Sequence, residues 1–138
     1  MKKFLLILLV TVLMISCEKN EIEIPEIPEA TIIGRWQIQG DIEISVQYEF
    51  TETKRFTIYK NDDGTYPTLE EFNELNPELT GNDWEYAGDT VVVDLNFGNY
   101  SKLVPTFKCN NYIIDWTDED GAFWGTYLRE GYDITECN

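Results

Sequence analysis

Short runs of alternating apolar and polar residues are the feature that most constrains the fold of this chain. In the clearest run, Ile42, Ile44, Val46, Tyr48 and Phe50 alternate with polar residues. A period of two residues gives a β-strand one apolar face, so this run predicts a half-buried strand. Similar runs recur between turn signals rich in Gly, Asn and Asp, which gives eight predicted strands. These strands cover residues 33–39, 42–51, 55–60, 83–87, 90–95, 102–109, 112–117 and 122–129.

The short connections between these strands predict the architecture. Because a parallel crossover needs a dozen or more residues, neighbouring strands are expected to pair antiparallel. An open sheet of eight such strands would leave unpaired backbone groups on its two outer strands, and closure into a barrel pairs these strands with each other. The predicted fold class is therefore all-β, an eight-stranded antiparallel up-and-down β-barrel. Pro105 conflicts with the sixth strand, because proline fits a strand only at a bulge or a poorly paired edge.

One short helix is predicted between the third and fourth strands. Residues 68–71 match a capping box, in which Thr68 and Glu71 satisfy each other's backbone N–H groups. Phe72 and Leu75 lie on one face of this helix, which is marginal alone at two turns and is expected to pack on a larger surface. The last two strands carry apolar residues on both faces, so this helix or a partner chain is expected to cover one of those faces.

The N-terminus predicts export. Two lysines precede residues 4–15, which are apolar except for one threonine. A helix of that length spans roughly 18 Å against about 30 Å for a membrane core, so the segment predicts a signal sequence rather than a membrane span. It ends in Leu-Met-Ile-Ser-Cys at residues 13–17, which resembles the lipobox of bacterial lipoproteins. The resemblance implies a signal peptide over residues 1–16 and a Cys17 that carries fatty acyl chains such as palmitate. The alternative is a secreted protein whose Cys17 pairs with another cysteine.

Residues 17–31 are expected to form the lipidated N-terminus and an acidic tether. Residues 18–30 hold five glutamates and two prolines, and this composition favours an extended, solvated chain. The first four, Glu-Lys-Asn-Glu, partly resemble the tag behind the lipid cysteine of surface-exported lipoproteins of the Bacteroidetes type. The resemblance implies that the protein is localised to the cell envelope, as an outer membrane lipoprotein that is periplasmic or surface-exposed. Residues 32–138 then form one folded domain.

Two cysteines remain in the folded domain. Cys109 and Cys137 form an even pair in a chain routed to an oxidising compartment, which fits one disulfide that ties the C-terminal tail to the domain. The alternative is a buried thiol at Cys109 and a loose tail, because Cys137 lies one residue from the end.

Charge and residue content exclude several functional classes. The chain has 10 basic and 26 acidic residues, and removal of residues 1–16 leaves 8 basic residues and a net charge of −18. Such a surface repels nucleic acid and anionic membranes. The chain has no histidine, which removes the commonest general base and most metal sites, and neither Ser45 nor Ser101 lies in a nucleophile elbow. We therefore expect no enzyme activity, no cofactor and no specific metal site.

The first and the last of the predicted strands resemble those of a known family. Ile-Gly-Arg-Trp at residues 33–36 looks like the Gly-x-Trp signature of lipocalins, and Arg129 ends the eighth strand where that fold places an arginine. The pattern over residues 32–130 is similar to short lipocalin-like lipoproteins of the Bacteroidetes type. In this family the arginine packs over the tryptophan, so the resemblance implies that Trp36 and Arg129 form a barrel-closing pair. It also implies a small hydrophobic ligand inside the barrel.

The aromatic residues on the predicted strands have two interpretations. They either fill the barrel interior, which is narrow at eight strands, or line a cavity for a small apolar or sugar-like ligand. The candidates for lining a ligand are Tyr48, Phe50, Trp84, Tyr86, Trp116 and Trp124.

Two functions follow from these patterns. The first is a lipid-anchored lipocalin-like protein of the cell envelope that binds a small hydrophobic molecule in the barrel. The alternative is a non-enzymatic envelope interaction module with a filled barrel, which holds a protein or glycan partner on its outer face. A surface inhibitor or immunity factor is a third class that these patterns leave open.

Overall fold

The computed structural model describes residues 26–40 and 46–137, and these residues form one closed β-barrel. Each strand pairs antiparallel with its neighbour in sequence, and the first strand also pairs with the last. The predicted eight-stranded antiparallel up-and-down barrel with one short helix is confirmed, in agreement with a lipocalin-like all-β fold. The strands are β1 Gly34–Gln39, β2 Val46–Phe50, β3 Lys54–Tyr59, β4 Asn82–Ala87, β5 Thr90–Asp94, β6 Tyr100–Lys108, β7 Ile113–Thr117 and β8 Phe123–Arg129. The helix α1 is Leu69–Leu75, and a 3-10 helix covers Ile134–Glu136.

Several sequence predictions fall outside the described residues. They are the signal peptide over residues 1–16, the lipidation of Cys17, the tether before residue 26, and residues 42–45 at the start of the predicted second strand.

Because the strands alternate in direction, the connections divide between two ends of the barrel. The lower end carries the incoming segment 26–33, the β2–β3, β4–β5 and β6–β7 turns, and the C-terminal segment after β8. The upper end carries the β3–β4 connection through α1, the β5–β6 turn and the β7–β8 turn.

The lower end is closed around Trp36. This side chain is fully buried, and its indole Nε1 donates to the Ile32 carbonyl oxygen at 2.7 Å. The Arg129 guanidinium carbon lies 4.5 Å from the Trp36 ring centroid, a stacking contact that contributes about 0.5–2 kcal/mol. Arg129 also donates to the carbonyl oxygens of Thr31, Ile33 and Asn111 at 3.2, 3.3 and 3.4 Å. One guanidinium thus joins the entering chain to the β6–β7 turn.

Gly34 is required by this closure. Its φ of +122° lies in a region that side chains disfavour, and a Cβ there would lie 2.9 Å from Nη1 of Arg129. The glycine of the Gly-x-Trp pattern therefore leaves space for the arginine that stacks on the tryptophan two residues later.

The C-terminal segment is attached to the same end. Cys109 and Cys137 form a disulfide bond across 28 residues of sequence, with Cα atoms 5.3 Å apart. Beside it, the rings of Tyr112 and Tyr132 stack at 4.6 Å between centroids and 11° between planes. The tail after β8 is therefore held against the β6–β7 turn by a covalent bond and an aromatic contact.

The helix α1 packs on the outside of β3. Phe56 and Ile58 form a small cluster with Phe72 of the helix, separate from the main core. The predicted capping box is present: Thr68 Oγ1 accepts from the Glu71 backbone N–H at 3.2 Å, and the Glu71 carboxylate accepts from the Thr68 backbone N–H at 2.8 Å. Of the two expected covers for β7 and β8, the helix is excluded, because its apolar face packs on β3.

Pro105 lies inside β6 without breaking it. Strand β6 pairs with β5 through residue 103 and with β7 from residue 104 onward, where Pro105 is opposite Trp116. Pro105 therefore lies just beyond the part of β6 that pairs with β5. At this position the strand has lost one of its two neighbours, so the missing N–H of the proline is tolerated.

We predict that Trp36→Ala lowers the free energy of unfolding by about 3–5 kcal/mol, because it removes a buried indole and the surface on which Arg129 stacks. Urea unfolding followed by circular dichroism measures this change. The matched control is Trp124→Ala, since Trp124 is 66% exposed and is expected to cost less than about 1 kcal/mol. An unchanged urea midpoint for Trp36→Ala would contradict the closing role.

Candidate functional site

The barrel interior is almost completely filled by side chains. Its cavity has a volume of about 20 Å³, which is the space of about one water molecule. Tyr48, Phe50 and Trp116 line this cavity together with Tyr127 and Arg55. Half of the candidate lining residues therefore face a space too small for an organic ligand.

The other three candidates lie elsewhere. Trp84 packs against the main core, with its Nε1 donating to the Thr51 carbonyl oxygen at 3.0 Å in the β2–β3 turn. Tyr86 follows it on the same face of β4, with ring centroids 5.6 Å apart, and is 47% exposed. Both residues extend the inner face toward the lower end, beyond the cavity.

Trp124 lies at the upper end, on the outer face of β8. Tyr127 faces the interior cavity and Gly125 pairs with the inward Trp116, so the alternation of β8 turns Trp124 outward, where it is 66% exposed. The next residue of β7, Thr117, pairs with Phe123, so Trp124 is the extra residue of a β-bulge and Phe123 is turned outward as well. Trp124 does not line the interior, because the inward face of β8 carries Tyr127 and Gly125 rather than Trp124.

Exposed aromatic side chains surround the upper end. We call Phe97, Tyr100, Phe123 and Trp124 the aromatic rim; Phe97 is completely exposed, and the other three are more than half exposed. Phe97 lies in the β5–β6 turn with φ +55°, between Asn96 at +68° and Gly98 at +77°. A phenylalanine with positive φ is an unfavourable choice for a turn, and such strain collects at functional sites.

A lateral cleft opens in the barrel wall between β3 and β4. These strands pair only at Lys54 with Asp83 and at Arg55 with Asn82, and above this point they separate. The cleft there has a volume of about 330 Å³ and lies between the upper part of β3 and the segment 78–82. Its size is at the lower bound of the small-molecule sites found in proteins.

Arg55 lies between this cleft and the interior cavity and lines both. Its guanidinium carbon lies 4.7 Å from the Tyr48 ring centroid, and its Nη2 donates to the Asn82 amide oxygen at 3.2 Å. Its Nε is buried and has no hydrogen-bond partner. Burial lowers the pKa of Arg55 from its usual value, since no carboxylate offsets the loss of water.

Sequence reasoning missed Arg55 because the apolar face of β3 points outward and its polar face points into the barrel. The apolar residues Phe56 and Ile58 face outward under α1, so Arg55 and Thr57 take the opposite face. The only sequence signal was the charged residue itself, on the polar side of a strand next to an amphipathic helix.

Tyr127 is the most strongly perturbed tyrosine of the interior. It is 8% exposed, and its ring centroid lies 5.7 Å from those of Tyr48 and Trp116. Burial raises the pKa of Tyr127 to about 12, so its hydroxyl stays protonated and uncharged at neutral pH. Within residues 26–40 and 46–137, no group of three or more Cys, Asp or Glu side chains is arranged to hold a metal ion.

We predict that Tyr127 makes the barrel sensitive to alkali. Between pH 10 and about 12 the unfolded chain loses this proton while the folded chain keeps it, so stability falls as pH rises through that window. Two pKa units correspond to about 2.7 kcal/mol. Tyr127→Phe should therefore show a shallower decline of the unfolding free energy above about pH 10, measured by urea unfolding. Tyr59→Phe controls for the loss of one phenol at an exposed position, and an equal change in both variants would contradict the assignment.

Comparisons with known proteins found no matching family model, no matching curated protein and no matching solved structure. Among the described residues, no helix is long and apolar enough to span a membrane. Function must therefore be inferred from the side chains of this chain.

Proposed function

We propose that this chain is a lipid-anchored, lipocalin-like protein of the cell envelope that acts as a non-enzymatic interaction module and holds a protein partner on its aromatic rim. The observation that carries this proposal is the contrast between a filled interior, with a cavity of about 20 Å³, and a fully exposed Phe97 at the upper end.

The filled interior supports the module over an enclosed hydrophobic ligand. Small-molecule sites that enclose their ligand have volumes of about 300–1,000 Å³. The interior cavity is an order of magnitude smaller, because Trp36, Phe50, Trp116 and Tyr127 occupy the same core cluster. An interior carrier would have to displace several of these packed rings, and interiors resist such expansion.

The chemistry of the rim supports a protein partner over a glycan. Aromatic side chains are enriched at the centres of protein interfaces, where they fill pockets of the partner. Phe97 and Phe123 offer apolar surface without a hydrogen-bonding group, whereas sugars need polar partners for their hydroxyl groups. The mature charge of −18 favours a partner with a basic contact surface, which would be drawn in electrostatically.

The anchor places the module at the membrane. The lipobox-like end of the N-terminal segment makes Cys17 the acylation site, and two or more acyl chains give stable anchoring. The Pro28 carbonyl oxygen accepts from the Asn111 side-chain amide at 2.8 Å, so the free part of the tether would be residues 18–25. These residues would reach roughly 25 Å at about 3.1 Å per residue, so that the barrel stands off the membrane surface.

We predict that Cys17→Ser moves the protein from the membrane fraction to the soluble fraction, because the acyl chains can no longer be attached. Fractionation followed by immunoblotting measures this change. Ser16→Ala is the matched control, since it keeps the cysteine and a small residue before it, and it should stay with the membranes. If Cys17→Ser still sediments with the membrane fraction, lipid anchoring through Cys17 is contradicted.

We predict that a photo-crosslinking residue at Phe97 or Trp124 captures a discrete protein partner in intact cells. The same residue at Thr53, an exposed position in the β2–β3 turn at the lower end, is the control and should give no such product. Equal capture at both ends, or none at the rim, would contradict the proposal. A lipid that co-purifies in native mass spectrometry and quenches the buried tryptophans would instead support the carrier.

A further inference from the structure

Among the described residues, Arg55 makes no ion pair with a carboxylate and donates to no backbone carbonyl oxygen. Arg35 pairs with Glu49, and Lys54, Lys102 and Lys108 each pair with an acidic side chain. Arg129 instead donates to three carbonyl oxygens. Arg55 has one amide oxygen at 3.2 Å and the face of Tyr48, and no carboxylate of the described residues pairs with it.

The geometry leaves part of the donor capacity of this guanidinium unused. Tyr48 contacts the guanidinium as a cation–π partner, and Asn82 accepts from Nη2, but Nε is buried without an acceptor. Buried donors in folded proteins are nearly always satisfied, and an arginine presents Nε and a terminal nitrogen as a fork that fits two oxygens. The position is thus built for an anion with two coplanar oxygens.

Arg55 is one of the residues that line the lateral cleft, so the cleft is the side from which an anion would approach it. The cleft has a volume of about 330 Å³, and its walls combine the apolar side chains Phe56, Phe72 and Leu79 with polar groups such as Thr57 and Thr80. Gly81 lets the segment 78–82 approach β3 closely, because a Cβ there would lie 3.0 Å from the Phe56 ring. The cleft therefore suits a compact molecule that is charged at one end and partly apolar at the other.

We propose that the cleft between β3 and segment 78–82 binds a small organic monocarboxylate, whose carboxylate forms a two-point ion pair with Arg55. Its apolar body packs against Phe72 and Leu79. None of the four rim residues lines the cleft, although Asn96, which precedes Phe97 in the β5–β6 turn, does. The proposed site is therefore distinct from the rim but adjoins its turn.

Charge favours a monocarboxylate over phosphate or sulfate. Glu78 lines the same cleft, and the whole chain carries a charge of −16, so each additional negative charge on the ligand meets repulsion. One arginine neutralises one charge, and the flat carboxylate matches its fork better than a tetrahedral oxyanion does. The apolar walls would remain unused by an inorganic anion.

Benzoate is a suitable probe, and benzamide is its uncharged analogue of the same shape. Isothermal titration calorimetry on the mature full-length protein should detect benzoate with a dissociation constant of about 1 mM or tighter, with benzamide at least about tenfold weaker. The Nε–Hε resonance of Arg55 in ¹⁵N-labelled protein should shift with benzoate and stay unchanged with sulfate. No binding of benzoate, or equal binding of benzamide, would overturn the proposal.

Three variants test the location of the site. Arg55→Gln should weaken benzoate at least about tenfold, whereas Lys102→Gln removes one positive charge from an exposed position of β6 and should leave the affinity within about twofold. Thr80→Trp fills the cleft from an exposed loop position and keeps Arg55, so it should also weaken benzoate at least about tenfold. If Arg55→Gln does not fold, Thr80→Trp decides. Unchanged affinity in the folded variants would place the ligand elsewhere and refute the site, whatever the crosslinks at the rim show.

Discussion

The stacking of Arg129 on Trp36 is the interaction on which the barrel depends. It occurs where β1 and β8 meet, with the two residues directly opposite each other in the register of these strands. The arginine also bonds three carbonyl oxygens of the lower end, so one side chain joins the first strand, the last strand and a turn. Closure by β1 and β8 brings together residues 93 positions apart in sequence, and such non-local pairing is entropically costly without a strong local anchor.

A closed eight-stranded barrel leaves its interior little freedom. At this strand number the side chains of the inner face can fill the interior, and here the indoles of Trp36 and Trp116 with the rings of Phe50 and Tyr127 do so. Binding surfaces are then expected outside the filled interior, at places where the closure of the barrel is incomplete. The first is the upper end, where the bulge at Trp124 and the strained turn at Phe97 expose aromatic rings. The second is the gap between β3 and β4 beside Arg55.

Much of the architecture was predictable because it is local. The period of two residues, the turn signals and the short connections predict the number, order and direction of the strands, and all of these are confirmed. The capping box at Thr68 and Glu71 is equally local and is present. The candidate site was less predictable: Tyr48, Phe50 and Trp116 face the interior cavity, whereas Trp84, Tyr86 and Trp124 do not line it.

The amino-acid sequence by itself determined the strand order, the helix and its cap, since each depends on residues a few positions apart. It could not determine which face of β3 turns inward, because Phe56 and Ile58 are satisfied equally well by a core or by a helix on the outside. Only the tertiary structure decided that α1 covers this face and that Arg55 points the other way. The bulge that turns Phe123 outward is likewise set by the pairing of β7 with β8, and a shift of one residue moves a side chain to the other face of a sheet.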